Sequence, residues 1–281
     1  MQNQNLQHSF GKHVILPFVI WVVIIVVFLH IKDIPYEFSD KDYIVVRYFA
    51  KVVMTILLPL VLIHLLFKSK NDFGIYFPKY SDSFKLAILA YAIGGPAGMT
   101  FWLVESLGWK FQDWPGAILL SIVYFIVFLL IPKVTQKIPL RNHLESPNRQ
   151  ILLFAVFSIA TVIIAYLTYE YIPIISKILY YIFIVGLGEE LLFRGYIQSS
   201  FNRYFGKPFH IKGVQFGWGL ILSALLFGLI HALIVMPPLW PWALFTFVFG
   251  LTLGFVREKD GSILAAVFLH AMMDMPLVFM S

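Results

Sequence analysis

Residues 188–195 read Gly-Glu-Glu-Leu-Leu-Phe-Arg-Gly and place two carboxylates and a guanidinium inside otherwise apolar sequence. An ionisable side chain at bilayer depth costs at least ~2.5 kcal/mol, so three of them within six positions need a compensating reason. On a helix, Glu190 and Arg194 lie four residues apart on one face, with the acidic residue in the favoured N-terminal position. Glu189 points about 100° away from Glu190. The stretch therefore predicts a Glu190–Arg194 ion pair and leaves Glu189 unpaired.

The composition around this stretch is that of a polytopic membrane protein. The 281 residues are 60% hydrophobic and only 13% charged, whereas soluble domains carry roughly 25% charged residues. The net charge of +6 does not indicate nucleic-acid binding, because the basic residues occupy short loops between apolar segments, where they orient membrane proteins. We therefore expect no nucleic-acid partner. The chain has no cysteine, which excludes a cysteine nucleophile and thiolate metal ligands.

Nine apolar stretches are long enough, or nearly so, to cross a bilayer as helices of about 20 residues. They cover residues 14–30, 48–67, 86–104, 115–132, 151–169, 174–198, 217–236, 239–256 and 262–280. The sequence thus predicts an all-α, polytopic transmembrane helical bundle of about eight or nine spans, with membrane lipid as a partner. It carries no signal for an oligomeric state.

The loops between these stretches indicate an orientation. Alternate loops counted from the N-terminus carry fourteen basic residues, and the remaining loops carry five. The fourteen are Lys12, Lys68, Lys70, Lys79, Lys85, Lys133, Lys137, Arg141, Arg149, Arg203, Lys207, Lys212, Arg257 and Lys259; the five are Lys32, Lys41, Arg47, Lys110 and Lys177. The positive-inside rule predicts that the fourteen, and with them the N-terminus, are cytoplasmic. We expect the protein in the cell (plasma) membrane.

Three more polar side chains lie within apolar sequence in the C-terminal half. His231 and His270 each stand in an apolar run, and Asp274 follows His270 one helical turn later. A buried polar group needs a partner, and these residues are the partners available to Glu189. His231 lies deeper than the others if its helix starts near residue 217, so convergence requires that helix to tilt or to end early.

A carboxylate, two imidazoles and a further carboxylate in a semi-dry cavity favour hydrolysis. Glu189 can accept a proton from water, a histidine can hold that water, and nearby donors can stabilise an oxyanion. Glu189, His231 and His270 can alternatively serve as a two-histidine, one-carboxylate set for Zn²⁺. The usual zinc pattern of two histidines one turn apart around a glutamate is absent. The expected cofactor is therefore either none or zinc.

Three motifs, taken together, carry a resemblance to a known family. They are Glu189-Glu190-x-x-x-Arg194, Phe227-x-x-x-His231 and His270-x-x-x-Asp274, in this order on three spans. They resemble the motifs of the CAAX protease and bacteriocin-processing (CPBP) family, also called the type II CAAX prenyl endopeptidase or Abi family of intramembrane proteases. The resemblance covers about residues 186–276. It implies a catalytic transmembrane core at 151–281 with the active site in a cavity among the C-terminal helices, and N-terminal helices at 1–150 of unassigned role.

The resemblance also implies roles for individual residues. Glu189 would be the base that activates water with His231, and His270 would stabilise the oxyanion beside Asp274. Glu190, Arg194 and Phe227 would support them. Asp274 departs from the form of the motif best suited to this role, which has asparagine, because an amide can donate a hydrogen bond and an ionised carboxylate cannot.

The sequence therefore predicts an intramembrane endopeptidase that cleaves a membrane-associated, hydrophobic or lipidated peptide near the cytoplasmic face. Two alternatives stay open. Asp274 favours a catalytically inactive relative that acts as a membrane immunity or scaffold protein. The buried charges also fit a proton or ion relay in a transporter, although the sequence shows no inverted repeat.

Overall fold

A computed structural model of the chain describes residues 10–31, 40–67, 70–76, 80–138, 147–168 and 172–280. Ten helices make up most of this structure. They are α1 (Gly11–Ile31), α2 (40–66), α3 (Tyr80–Ala97), α4 (Met99–Ser106), α5 (Trp114–Val134), α6 (Pro147–Thr168), α7 (173–205), α8 (Trp218–Leu233), α9 (Trp240–Asp260) and α10 (Leu264–Met280). A two-stranded antiparallel hairpin, β1 (Phe209–Ile211) and β2 (Val214–Phe216), connects α7 to α8. The predicted all-α transmembrane bundle is confirmed.

Six segments are long and apolar enough to cross a membrane. They are α1, Val46–Leu66 of α2, Ser81–Ser106 across α3 and α4, α5, Ile151–Thr168 of α6, and α9. Two shorter helices, α8 and α10, are apolar as well. Each of the nine predicted stretches coincides with one of the helices, with α3 and α4 together forming the third.

One end of the bundle gathers the loops that carry most of the basic residues. Lys12 at the start of α1 donates a hydrogen bond to the carbonyl of Leu66 at the end of α2. Asp72, just beyond α2, pairs with Arg203 near the end of α7 at 2.9 Å, and its carbonyl accepts a hydrogen bond from Arg257 near the end of α9. We call this end of the bundle the basic end.

The opposite end is rich in aromatic side chains. Trp242 in the first turn of α9 packs against Phe111, which precedes α5, with ring centroids 5.3 Å apart. Near the start of α2, Tyr48 stacks on Tyr180 of α7 with centroids 4.4 Å apart. Trp109 also lies here, between α4 and α5, and is 41% exposed. We call this end the tryptophan end.

Helix α7 carries the stretch of residues 188–195 and has an irregular middle. Two π-helical segments, Tyr180–Leu187 and Leu191–Ile197, flank one α-helical turn, Gly188–Glu190. Such π segments occur often at functional sites. Gly188 faces α2 at close range, because a Cβ atom there would collide with the Thr55 hydroxyl and would lie 3.4 Å from the Ile56 side chain. Close packing of α2 on α7 therefore requires glycine at position 188.

Candidate active site

Glu189 lies at the midpoint of α7 and is bound by a residue from the N-terminal half of the chain. Lys51 of α2 donates a hydrogen bond to Glu189 Oε1 over 2.8 Å, and both side chains are mostly buried, with exposures of 16% and 12%. The sequence prediction that Glu189 is unpaired is therefore wrong. An uncompensated carboxylate at this depth is costly, and the Lys51 ammonium group supplies the opposite charge.

The second oxygen of Glu189 has a different environment. Glu189 Oε2 is buried and has no hydrogen-bond partner among the described residues. It lies 3.8 Å from His231 Nε2 and 4.0 Å from His270 Nε2. These separations are too long for direct hydrogen bonds. They place the carboxylate oxygen and the two imidazole nitrogens close together without a direct bond.

Each histidine is fixed in orientation by its other ring nitrogen. His231 Nδ1 lies 2.6 Å from the carbonyl oxygen of Phe227, one turn earlier on α8. A carbonyl only accepts hydrogen bonds, so Nδ1 carries the proton, and Nε2 of the neutral ring is an acceptor that faces Glu189. The Phe227 ring packs against the His231 ring with centroids 4.5 Å apart. The Phe227-x-x-x-His231 motif thus sets both the tautomer and the position of the imidazole.

His270 of α10 is fixed by Glu190. His270 Nδ1 lies 2.8 Å from Glu190 Oε1, and both side chains are almost fully buried. Since a carboxylate accepts and does not donate, His270 donates from Nδ1. His270 Nε2 can then donate as well only when the ring is protonated.

The predicted pair of Glu190 and Arg194 is present, with Arg194 Nη1 3.1 Å from Glu190 Oε1 and side-chain exposures of 1% and 0%. Arg194 Nη2 donates to the Gly250 carbonyl of α9 over 3.1 Å, and the guanidinium stacks 4.3 Å from the centroid of the Phe227 ring. Glu190 therefore connects the arginine to His270 through one carboxylate oxygen. This pair forms the buried support beneath the two histidines.

Asp274 lies at the edge of the group. Its Oδ2 is 3.5 Å from His270 Nε2, and its side chain is 20% exposed, compared with 4% for His270. The long separation makes Asp274 a neighbour of His270 rather than a hydrogen-bonded partner. All seven residues that the sequence singled out therefore meet in one place, although the structure does not test their individual roles.

Helix lengths explain how His231 reaches this place. Helix α8 ends at Leu233, two residues after His231 and before Pro237 and Pro238. His231 thus lies near the tryptophan end of a short helix, while Glu189 lies in the middle of the long α7. The early helix end that convergence required is present.

A cavity of about 140 Å³ opens beside Glu189, Lys51 and His231. Its walls come from α1, α2, α7 and the end of α8. Most of the remaining lining residues are apolar, namely Ile24, Phe28, Ile31, Leu192, Phe193, Ile230 and Ile234, and the others are Arg47, Thr55 and Tyr180. A space of this size has room for several water molecules or for part of a peptide. The side chains of His231 and Glu189 thus line this space.

The zinc alternative can be compared with the same geometry. Within the described part of the chain, no group of three or more His, Cys, Asp or Glu side chains is arranged to hold a metal ion. Zn²⁺ ligands lie at about 2.0–2.1 Å from the metal, so two ligand atoms around a tetrahedral ion are roughly 3.4 Å apart. Glu189, His231 and His270 are more widely spaced, and Lys51 already binds the carboxylate. The spacing of these three residues is thus wider than that of a tetrahedral zinc site.

Sequence reasoning missed Lys51. The residue stands within the apolar stretch 48–67, and 138 positions separate it from Glu189, so no local spacing relates the two. A signal was present, since a lysine inside a predicted span has the same cost as the buried carboxylates.

Comparison with known proteins agrees with the motifs. A family model described as type II CAAX prenyl endopeptidase Rce1-like matches residues 171–276. The match covers α7 to α10 up to residue 276, and it includes every predicted site residue. It does not extend to α1 and α2, which supply Lys51 and part of the cavity. Comparisons with curated proteins and with solved structures find no significant match.

Proposed function

We propose that the protein hydrolyses a peptide bond with water activated by Glu189, since residues 171–276 match the family model described as Rce1-like type II CAAX prenyl endopeptidase. The family match supports a CAAX-type intramembrane endopeptidase in general. The finer proposal depends on one observation, the buried Glu189 Oε2 that faces two imidazole nitrogens without a bonded partner. The proposed substrate is a hydrophobic or lipidated peptide in the membrane.

The nucleophile is a water molecule held between Glu189 and His231. Two atoms 3.8 Å apart can both lie about 2.8 Å from one water oxygen, which is a normal hydrogen-bond length. Glu189 Oε2 and neutral His231 Nε2 are both acceptors, so the water would donate both of its hydrogens to them. Its oxygen lone pairs would then point away from the two side chains and towards a substrate carbonyl in the cavity.

The reaction proceeds in two steps. The water oxygen forms a bond to the carbonyl carbon while one of its protons moves to Glu189, and the carbonyl becomes a tetrahedral oxyanion. The carbon–nitrogen bond then breaks, the electron pair stays on nitrogen, and Glu189 returns the proton to the leaving amine. The products are a carboxylic acid and an amine, and Glu189 ends as the carboxylate it was at the start.

His270 is the proposed donor to the oxyanion. Its Nε2 lies near the place where the carbonyl oxygen would develop charge, and its Nδ1 is held by Glu190. In the protonated form, Nε2 donates a strong hydrogen bond to a developing anion. Glu190 and Arg194 contribute by fixing this ring.

Lys51 is a positioning residue in this proposal. By bonding Oε1, it turns Oε2 of Glu189 towards the imidazoles and balances the buried negative charge. The ammonium group therefore defines which carboxylate oxygen acts as the base.

The test is a cleavage assay on purified protein in detergent with prenylated and unmodified hydrophobic peptides. We expect turnover by the wild-type protein and by Glu105→Gln, an exposed residue near the tryptophan end, and none above background by Glu189→Gln. Equal turnover by the wild type and Glu189→Gln would reject the mechanism. A folded wild-type protein that cleaves none of the peptides and keeps its cellular phenotype without Glu189 and His231 would favour the inactive scaffold.

Metal dependence is tested in the same assay. A water-based mechanism without zinc predicts full activity after extensive treatment with a chelator and no stoichiometric zinc in the purified protein. Loss of activity on chelation, with recovery on addition of Zn²⁺, would instead support Glu189, His231 and His270 as metal ligands.

A further inference from the structure

We propose that the active-site cavity opens at the extracytoplasmic face of the membrane, so that the substrate is a peptide segment exposed on that side. The first part of this inference concerns only the cavity and the orientation of the bundle. The second part, the identity of the substrate class, rests on the proposed peptidase function.

The cavity lies between the middle of the bundle and the tryptophan end. Ile31 is the last residue of α1, and Ile234 follows the last residue of α8. Arg47 and Tyr180 lie near the tryptophan-end starts of α2 and α7. The innermost lining residues, such as Phe193 and Thr55, lie near the middle of their helices. The mouth of the cavity therefore faces the tryptophan end.

The basic end is closed by side chains that pack between the ends of the helices there. The Arg203 guanidinium stacks on the rings of Phe67 and Phe73 at 5.2 and 4.7 Å, and both rings are almost fully buried. Asp72, in the segment after α2, also contacts Arg203 of α7 and Arg257 of α9. Within the described ranges, the cavity lining includes no residue from this closed layer.

The charge distribution assigns the two ends to compartments. Eleven of the fourteen basic residues and four of the five lie within the described ranges, and there the eleven fall towards the basic end and the four towards the tryptophan end. The contacts of Lys12 with Leu66 and of Ser83 with Asp260 bring several of these chain segments together at one end. Alternate loops of a helical bundle are expected to lie at the same end. The positive-inside rule makes the basic end cytoplasmic. The mouth then opens outward, and cleavage near the cytoplasmic face, which the sequence predicted, is incompatible with the predicted orientation.

The substrate class follows from the access. A peptide that reaches Glu189 must enter from outside, past apolar walls, and across the single guanidinium of Arg47 among the lining residues of the mouth. Suitable substrates are exported hydrophobic peptides and the extracytoplasmic ends of membrane-anchored segments. Peptides confined to the cytoplasm would not reach the site.

The absence of cysteine makes the test direct, because one introduced cysteine is the only thiol in the chain. Arg47→Cys and Lys110→Cys probe the tryptophan end, and Lys85→Cys and Lys212→Cys probe the basic end at exposed positions. Each variant removes one basic residue, so the four are matched in charge. Intact cells are treated with a membrane-impermeant maleimide, and the same treatment is repeated after the cells are lysed.

We expect the two tryptophan-end cysteines to react in intact cells and the two basic-end cysteines to react only after lysis. Reaction of the basic-end pair in intact cells, with protection of the other pair, would overturn the orientation. Reaction of Lys110→Cys without reaction of Arg47→Cys would overturn the open mouth. Labelling needs no catalysis, so its result stands even if the peptidase assay fails.

A second experiment tests the substrate class. A peptide that the wild-type protein cleaves in detergent is fused to either end of a single membrane anchor, so that it lies outside or inside the cell. We expect cleavage of the outside fusion only, and no cleavage of either fusion by Glu189→Gln. Cleavage of the inside fusion alone would contradict the inference while leaving the peptidase function intact.

Discussion

Two buried carboxylate clusters both include residues of α7, and they differ in how completely their carboxylate oxygens are bonded. At the basic end, Glu258 of α9 accepts hydrogen bonds from Gln198 and Asn202 at one oxygen, at 2.7 and 2.8 Å. Its other oxygen is bonded by Lys207 and Arg257, at 2.6 and 3.2 Å. In the middle of the bundle, one oxygen of Glu189 and one of Glu190 have no partner within the described residues.

The difference distinguishes a cluster that stabilises the fold from one that can react. A fully bonded buried carboxylate holds neighbouring helices in place and has no free oxygen lone pair to accept a further hydrogen bond. A buried oxygen without a partner is unfavourable for stability, and it persists where the surrounding packing holds it. The Glu189 side chain also lines a cavity, whereas Glu258 is not among the lining residues. Burial of charge alone would not have separated the two clusters.

The largest expected effect comes from exchanging the two glutamates for glutamine in turn. Glu189→Gln removes the proposed base and should lower turnover per folded molecule by about 10²–10⁴-fold. It also leaves the buried Lys51 ammonium group without its opposite charge, so thermal stability should fall as well. Glu258→Gln should leave turnover per folded molecule unchanged and lower stability by about 1–3 kcal/mol. Turnover per folded molecule and thermal unfolding of both variants in detergent test this contrast, and an equal loss of turnover in the two variants would erase the distinction.

Arg194→Ala should damage both properties, because this arginine supports the reactive cluster from beneath. Removing one partner of a buried ion pair leaves Glu190 uncompensated and costs about 3–5 kcal/mol. His270 would also lose its fixed partner, so activity should fall in the molecules that remain folded. Arg203→Ala on the same helix is the matched control. Its ion pair with Asp72 is partly exposed, and we expect a smaller loss of stability. Equal losses in thermal unfolding would contradict the assignment.

Lys51→Met should lower kcat by about 10–100-fold while changing KM less, since the lysine orients Glu189 rather than reacting. Lys51→Arg should restore part of the rate, because it retains the charge but not the geometry. Lys85→Met, an exposed lysine on α3, is the control and should have no effect. Steady-state kinetics of the three variants provide the measurement. A Lys51→Met enzyme with unchanged kcat would remove Lys51 from the site.

The smallest effect is expected for Asp274→Asn. The side chain is at the edge of the cluster and is not hydrogen-bonded to His270, and asparagine can donate to an oxyanion. Turnover should therefore stay within about 3-fold of the wild type or increase, since a single neutral hydrogen bond contributes only ~0.5–1.5 kcal/mol. A loss of more than tenfold in the peptidase assay would instead show that the negative charge of Asp274 is needed to keep His270 protonated.

The sequence was sufficient to predict the helices and most of the cluster. Long apolar stretches predict spanning helices directly, because the bilayer fixes their length. The spacing of Glu190 and Arg194 predicts their contact, because residues four apart lie on the same face of a helix in successive turns. His231, His270 and Asp274 were found because each is a polar residue with no local reason to lie in apolar sequence.

The contact that Lys51 makes and the direction in which the cavity opens could not be found in this way. The contact between Lys51 and Glu189 depends on how α2 packs on α7, which is fixed by a glycine at 188 opposite Thr55 and not by any local period. The direction in which the cavity opens depends on which helices end early. Helix α8 ends early because of the residues near 234–239 and not because its apolar sequence stops. Long-range packing of this kind leaves no mark in a single sequence.

The shared construction of the cavity has a consequence for how such proteins diverge. The reacting groups come from α7, α8 and α10, whereas α1 and α2 form one side of the space that a substrate must occupy. Only the first set lies within the region that the family model describes. Mutations that accumulate in α1 and α2, outside Lys51, can therefore reshape the choice of peptide without altering the chemistry. Such a protein can acquire a new substrate through changes in α1 and α2, which lie outside the family match.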